Sequence, residues 1–334
     1  MPDRQRGLFT TTVSLNRKVC DEHFALTLRC AAFPPTRAGQ FVQIGCAAPV
    51  APVDAEHDWD GSEWPKLAQA DLPERAAFLR RPFSLAGRRD VAGGVELDIV
   101  GRDVGVGTAW LSRLREGDAV DLIGPLGNAF TLPPPGGIAL MVGGGVGIPP
   151  MIYLAAAVAE ANASSPDGGR RRAIAFCGAL RRSLLALTIT NSAPLPAAAS
   201  IDPLYNVAEF ARSDVPAVIS TDDGSYGFRG LVTQSLEAYL DRHISDATVR
   251  RRTVIYTCGP EGMMRAVASI AQPRQIACQV CVERAMACGM GTCQSCVIRV
   301  KKDQPQSPPL AGSDWCYRLA CTDGPIFEAT QLLW

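Results

Sequence analysis

Cys288, Cys293 and Cys296 follow the spacing C-x4-C-x2-C, and Cys321 comes later in the chain. Thiolates are soft donors, and three on one tight loop with a fourth from a separate segment can converge on a compact cluster. This is the spacing of plant-type [2Fe–2S] sites. Gly289 and Gly291 relieve crowding in the loop and let backbone N–H groups turn toward sulfur, which raises the potential. Structural zinc is the competing use, but zinc favours two paired knuckles, and here one triplet faces one distant cysteine. Cys316 competes for the fourth place. Cys321 is preferred because Ala320-Cys321-Thr322-Asp323-Gly324-Pro325 is a turn-forming context. Cys20, Cys30, Cys46, Cys177, Cys278 and Cys281 read as packed thiols.

A cluster moves one electron, whereas a nicotinamide takes a hydride, so a converter is needed, and a flavin can serve. Arg81-Pro82-Phe83-Ser84 has the parts to hold one: a guanidinium for a pyrophosphate, an aromatic to pack on the cofactor, and a hydroxyl for a ring nitrogen. Gly105-Val106-Gly107-Thr108 precedes a helix-like stretch and offers a phosphate site, with Arg102 just upstream. Gly143-Gly144-Gly145-Val146-Gly147 follows an apolar strand and opens a helix, although it is not the G-x-G-x-x-G fingerprint. Cys258-Gly259-Pro260 ends another strand, where ligands of parallel sheets bind. Hydride transfer requires alignment and exclusion of water rather than a proton shuttle, so no catalytic acid or base is assigned.

These residues need elements to position them. The chain has 334 residues, balanced at 33 basic and 33 acidic, which suggests about two domains and no electrostatic footprint for nucleic acid. Eight of the twelve cysteines lie after residue 257, and no secretory h-region is visible in Met1 to Lys18, so a cytoplasmic, reducing location is expected. Short β-type runs at Thr11–Val13, Phe24–Leu28, Gln40–Ile44, Val95–Val100 and Ala119–Ile123 predict a small antiparallel β-barrel over 1–132. An Ala-, Pro- and acid-rich insertion at about 47–78, with Trp59 and Trp64, is either a surface excursion or a partner-docking element. After Pro133-Pro-Pro-Gly-Gly, strands at Ile138, Ala173, Ala217 and Thr253 alternate with helical patterns. They predict a parallel-sheet α/β domain over 136–272, followed by a small cysteine-rich domain over 275–334. The uncharged stretch Gly136 to Ala159 is long enough to span a bilayer. Its glycines and Pro149-Pro150 favour a strand, a turn and a helix start, and no membrane span is expected.

Together these motifs resemble the ferredoxin–NADP reductase superfamily, which joins an FAD-binding barrel to a nicotinamide-binding domain. Within it, five segments occur in one order: Leu79-Arg-Arg-Pro-Phe-Ser-Leu, Gly124-Pro-Leu-Gly-Asn-x-Phe130, Asp222-Asp-Gly-Ser-Tyr-Gly227, Glu283-x-x-Met-Ala-Cys-Gly-Met-Gly-Thr-Cys-Gln-Ser-Cys296 and Tyr317-Arg-x-x-Cys-Thr-Asp-Gly-Pro-x-Phe327. This order is similar to the electron-transfer subunits of NAD-dependent dihydroorotate dehydrogenase, over most of residues 8 to 330. The resemblance implies a relay in pyrimidine biosynthesis, from FMN on a catalytic partner subunit through [2Fe–2S] and FAD to NAD, in a heterotetramer of two chains each. It implies FAD contacts at Arg81 to Ser84, Val100-Gly101-Arg102 and Gly107-Thr108, and cluster ligands at Cys288, Cys293, Cys296 and Cys321. Gly143, Gly144, Gly145, Gly147, Cys258 and Gly259 match the nicotinamide-side motifs. The insertion and the gap from Cys296 to Cys321 are longer than the family pattern. Arg181-Arg182 follow the second strand of the α/β domain, where a basic residue can bind a 2′-phosphate; NAD is favoured by the resemblance alone. The related alternatives are iron–sulfur flavoprotein subunits of sulfide dehydrogenase, NADH-dependent ferredoxin:NADP reductase or hydrogenase-associated diaphorase. A non-catalytic metal-binding module is the alternative from another class.

Overall fold

The computed structural model describes residues 6–47, 77, 79–164, 169–190, 200–302 and 314–334. The insertion at 47–78 lies almost wholly outside the described residues.

The first seven strands are β1 (Gly7–Cys20), β2 (His23–Cys30), β3 (Phe41–Ile44), β4 (Arg81–Ser84), β5 (Gly87–Val91), β6 (Gly94–Arg102) and β7 (Ala119–Leu126). They form one antiparallel sheet in the order β4-β3-β7-β1-β2-β6-β5. The sequence dictates which face turns inward. Along β6 every second residue is buried, with Val95, Leu97 and Ile99 inside, as a period of two requires. Leu26, Leu28, Ile44 and Leu122 join them in one core, and the short helix α1 (Val106–Leu111) adds Leu111 to it. Strands β4 and β5 stand at the two ends of the sheet order, so the expected barrel is a half-barrel.

The second sheet contains β8 (Ile138–Gly144), β9 (Arg172–Ala179), β10 (Ala217–Thr221), β11 (Phe228–Arg229), β12 (Thr253–Cys258) and β13 (Ala277–Cys281). All of these run parallel in the order β11-β10-β9-β8-β12-β13. Both faces are covered, which explains the continuous apolar runs. Ala139, Met141, Ala175 and Tyr256 pack under α2 (Ile148–Ala163) and α3 (Ala208–Ala211). Leu140, Val142, Phe176 and Ile255 pack under α4 (Val232–His243) and α6 (Glu261–Ala271), while α5 (Ala247–Arg251) leads into β12. The stretch Gly145–Ala163 is apolar and long enough to cross a membrane by composition. Here it is the helix α2 with its opening turn, and Ile148, Met151, Leu154, Ala155 and Val158 are buried against the sheet.

A hairpin of β14 (Val297–Lys301) and β15 (Trp315–Leu319) follows the cysteine loop. The chain then returns to the second sheet. The final strand, β16 (Ile326–Glu328), pairs antiparallel with β13. The sheet therefore continues past residue 272, taking its last two strands from the region 275–334.

Candidate functional site

A cleft of about 1420 Å³ opens where the two sheets meet. Strand order reverses between β8 and its neighbours β9 and β12, and the crevice outside such a reversal is where open α/β sheets bind ligands. The cleft gathers most of the residues expected from the sequence: Arg81, Pro82, Phe83, Ser84, Val100, Gly101, Arg102, Gly107 and Thr108 from the half-barrel, and Gly144, Gly145, Gly147, Cys258 and Gly259 from the parallel sheet. Gly143, inside β8, does not line the cleft, and neither do Cys288, Cys293, Cys296 and Cys321. Gly147 has a packing reason to be glycine. A Cβ there would stand 2.1 Å from the Cys258 carbonyl oxygen, so the turn after β8 and the end of β12 can touch only without a side chain.

Three polar side chains of the half-barrel wall already have partners. Thr108 Oγ1 accepts from the N–H groups of Val104 (2.9 Å) and Gly105 (3.1 Å) and donates to the Gly105 carbonyl (3.0 Å). Arg102 donates twice to Glu22 Oε2, at 2.9 and 2.7 Å, and Arg81 Nη1 donates to the Leu79 carbonyl at 2.8 Å. Just outside the lining, after β9, Arg182 stacks over the Tyr226 ring at 5.1 Å, and Arg181 Nε donates to Ser183 Oγ at 3.0 Å. Asp222 also lines the cleft, and burial followed by the neighbouring Asp223 raises its pKa.

Two cleft residues carry no signal in the sequence. His23 stands opposite Arg102 in the β2–β6 register, lines the cleft, and has a buried Nε2 without a partner among the described residues. Cys281, expected only to pack, lies beside Cys258 in the parallel register of β12 and β13, and both line the cleft. Their mutual hydrogen bond, then burial, pushes the Cys258 thiol well above its usual range. Only the pairing of the two strands could have revealed this neighbour.

The four expected ligand cysteines come together as two pairs. Cys288 Sγ accepts N–H bonds from Met290 (3.3 Å) and Cys293 (3.4 Å). Cys293 Sγ lies 3.2 Å from Ser295 Oγ. The Ser295 hydroxyl, then its backbone, then Cys288 hold the Cys293 thiol down to about 6. In the other pair, Cys321 and Cys296 interact directly; burial and then Cys296 push Cys321 up to about 12, against a hydrogen bond from Gly291. Among the described residues no three such donors surround a single point as a mononuclear metal requires. Two pairs of thiols suit a two-iron cluster, which takes four cysteine thiolates. Cys316 instead sits within the β14–β15 hairpin opposite Val300.

The cysteine loop is fastened to the half-barrel. Asn128 Nδ2 donates to the carbonyls of Asp323 (3.0 Å) and Ile326 (2.8 Å), and its Oδ1 accepts from the Ile326 N–H (2.9 Å). From β3, Gln43 reaches the loop itself. A Cβ at Gly289, whose φ is +69°, would meet Gln43 Cγ at 2.6 Å and Nε2 at 3.1 Å. Gln43 is fully buried, and neither end of its amide has a partner among the described residues. Burial of an unsatisfied polar group costs about 1–3 kcal/mol.

Comparison with known proteins agrees with this architecture. Residues 141–269 match the oxidoreductase NAD-binding domain, and residues 283–333 match the iron–sulfur cluster binding domain of dihydroorotate dehydrogenase B. The structure of an NADH-dependent reduced ferredoxin–NADP oxidoreductase aligns with a TM-score of 0.65 at 23% identity, over 97% of this chain and 90% of that one. Amycolatopsis cytochrome P450 reductase aligns with a TM-score of 0.54 at 23% identity, over 83% of this chain and 70% of that one. Fold and domain matches thus define a chain with a ferredoxin-reductase-like fold, an oxidoreductase NAD-binding domain and an iron–sulfur cluster binding domain after it. Among relatives, the dihydroorotate dehydrogenase B (NAD(+)) electron transfer subunit of Geobacillus thermodenitrificans is 33% identical over 270 residues, covering 80% of this chain and 84% of that protein. The corresponding subunit of Bacillus caldolyticus is 30% identical over 325 residues, covering 96% and 97%. The chain belongs to the family of dihydroorotate dehydrogenase B electron transfer subunits.

Proposed function

We propose that this chain takes electrons from the FMN of a dihydroorotate dehydrogenase catalytic subunit and delivers them, by way of a [2Fe–2S] cluster and FAD, to NAD+ in cytoplasmic pyrimidine biosynthesis. The working assembly is a heterotetramer of two chains of each kind. The observation that carries this reading is convergence: the Arg81–Ser84 strand, the glycine turn after β8, the end of β12 and the segment 283–287 leading into the cysteine loop all border one cleft. Three units fit the reading, 1–132, 136–272 and 275–334, with the last lending β13 and β16 to the sheet of the second.

When bound, FAD and the cluster supply the exchange between hydride chemistry and single-electron transfer. The chain's own residues hold and orient. Arg81, Arg102 and the Gly107-Thr108 turn would bind the pyrophosphate of FAD, Pro82, Phe83, Val100 and Gly101 would pack along it, and the Ser84 hydroxyl would hydrogen-bond its ring system. For Arg102 this means exchanging Glu22 for phosphate. Gly144, Gly145, Gly147, Cys258 and Gly259 form the nicotinamide side, with Gly143 shaping the strand beneath them. The side chains of Cys288, Cys293, Cys296 and Cys321 hold the cluster. Hydride transfer draws on alignment within a site that excludes water, so no residue acts as an acid or base. The test is to purify the native complex through this chain and measure dihydroorotate-dependent NAD reduction. Recovery of a hydrogenase or another flavoprotein in place of an FMN subunit, with no such activity, would overturn the reading.

A further inference from the structure

Strand β3 pairs with β4 so that Phe41 faces Ser84 and Gln43 faces Pro82. Partners in an antiparallel register share a face, so Gln43 lies on the face that carries Phe41, Pro82 and Ser84, all three of which line the cleft. Its neighbours Val42 and Ile44 point the other way, into the half-barrel core. Every other buried position of β3 is apolar, yet an amide stands at this one, with no exposure and no partner among the described residues for either end. The Gln43 side chain lies in the space that a Cβ at Gly289, the residue after Cys288, would enter. Only a glycine admits it there, because a Cβ at 289 would collide with the Gln43 stem.

We propose that Gln43 is a positioning residue of the half-barrel for the cluster, its Nε2–H donating a hydrogen bond to a sulfur of the Cys288 side of the site. The inference rests on the reading that the four cysteines hold a [2Fe–2S] cluster. Sulfur bound to iron has no hydrogen to give, so of the two ends of the amide only the NH2 end can pair with it. A donor aimed at sulfur stabilises the extra negative charge of the reduced cluster and raises its potential. The face that supports the flavin strand thereby also sets the poise of its electron donor. A buried amide that served packing alone would leave that potential where it is.

The test is a redox titration of the FAD- and cluster-loaded chain in its native complex, followed by visible absorption and by the paramagnetic signal of the reduced cluster. Gln43→Leu removes the donor and keeps the bulk. The expected result is about a tenfold shift of the reduced-to-oxidised ratio toward oxidised at a fixed poise, which is about 59 mV for one electron. Gln43→Glu places a charge there and lowers the potential further. An intact cluster spectrum in Gln43→Leu with an unchanged midpoint overturns the proposal, whereas a wild-type complex lacking a [2Fe–2S] spectrum overturns the cluster reading instead. If neither variant retains a cluster, the unsubstituted position decides. In protein labelled at glutamine side-chain nitrogen, with Gln294→Gly removing the loop's own glutamine, magnetic coupling of the reduced cluster to a labelled amide is expected. Its absence overturns the proposal.

Discussion

Cys258 and Cys281 form a pair, as do Cys288 and Cys293, and the two pairs have opposite chemistry. The first sits at the ends of adjacent parallel strands, buried, with each sulfur chiefly facing the other. With water removed, burying a thiolate is costly, and Cys258 stays protonated. The second pair sits on a loop, with Cys293 exposed and Cys288 half-buried, and it collects N–H and O–H donors from Met290, Cys293 and Ser295. There the Cys293 thiolate is favoured, and a thiolate is what iron binds. Cys258 and Cys293, of one chemical type, are thus set apart by hydrogen-bond donors and access to water.

The sharpest break in this contrast is Cys293→Ser. It is expected to abolish the cluster and all dihydroorotate-linked NAD reduction while leaving NADH–dye activity in place. Absorption spectra and the two assays read this directly, and loss of FAD with the cluster retained would reverse the assignment. Ser295→Ala comes next. It takes away the hydroxyl at 3.2 Å from Cys293, and iron affinity should fall roughly 10–100-fold, measured by chelator competition. On the buried side Cys281→Ala should cost only about 1 kcal/mol in denaturant unfolding and leave the cluster spectrum unchanged. The smallest effect is an absence of reaction. Burial pushes Cys46 up to about 11 and Cys278 up to about 12, so for both the reactive thiolate appears only at high pH. At pH 8 a thiol with a pKa near 12 is roughly 1 part in 10,000 thiolate, and iodoacetamide should leave both residues unlabelled in the native chain. Peptide mapping that found Cys278 modified at pH 8 as fast as in unfolded protein would remove one side of the comparison.

The cysteine spacing was legible because Cys288, Cys293 and Cys296 share one loop, where nearness in sequence reports nearness in space. The same holds for the β-runs that became β1, β2, β3, β6 and β7, and for β8, β9, β10 and β12, whose apolar patterns report burial directly. Strand β13 was hidden because Ala277–Cys281 reads as the start of a cysteine-rich tail, and its role depends on pairing with β12. Strand β16 was hidden for the same reason at longer range. His23 and Gln43 belong to ordinary strands, and their orphaned atoms matter only once a second domain covers them. For Thr108 and Arg102 the residue types were legible and the present partners were not. A hydroxyl and a guanidinium take whichever neighbour the turn brings, here Gly105 and Glu22.

The return of the chain to β16 has a mechanical consequence. A module joined by one linker swings like a door on its hinge. The segment bearing the cysteines is instead a handle with both feet bolted down: it leaves from the end of β13, comes back as β16 beside that same strand, and is riveted a third time by Asn128. To swing free, such a handle would have to unzip β16 from β13 and break the three Asn128 hydrogen bonds.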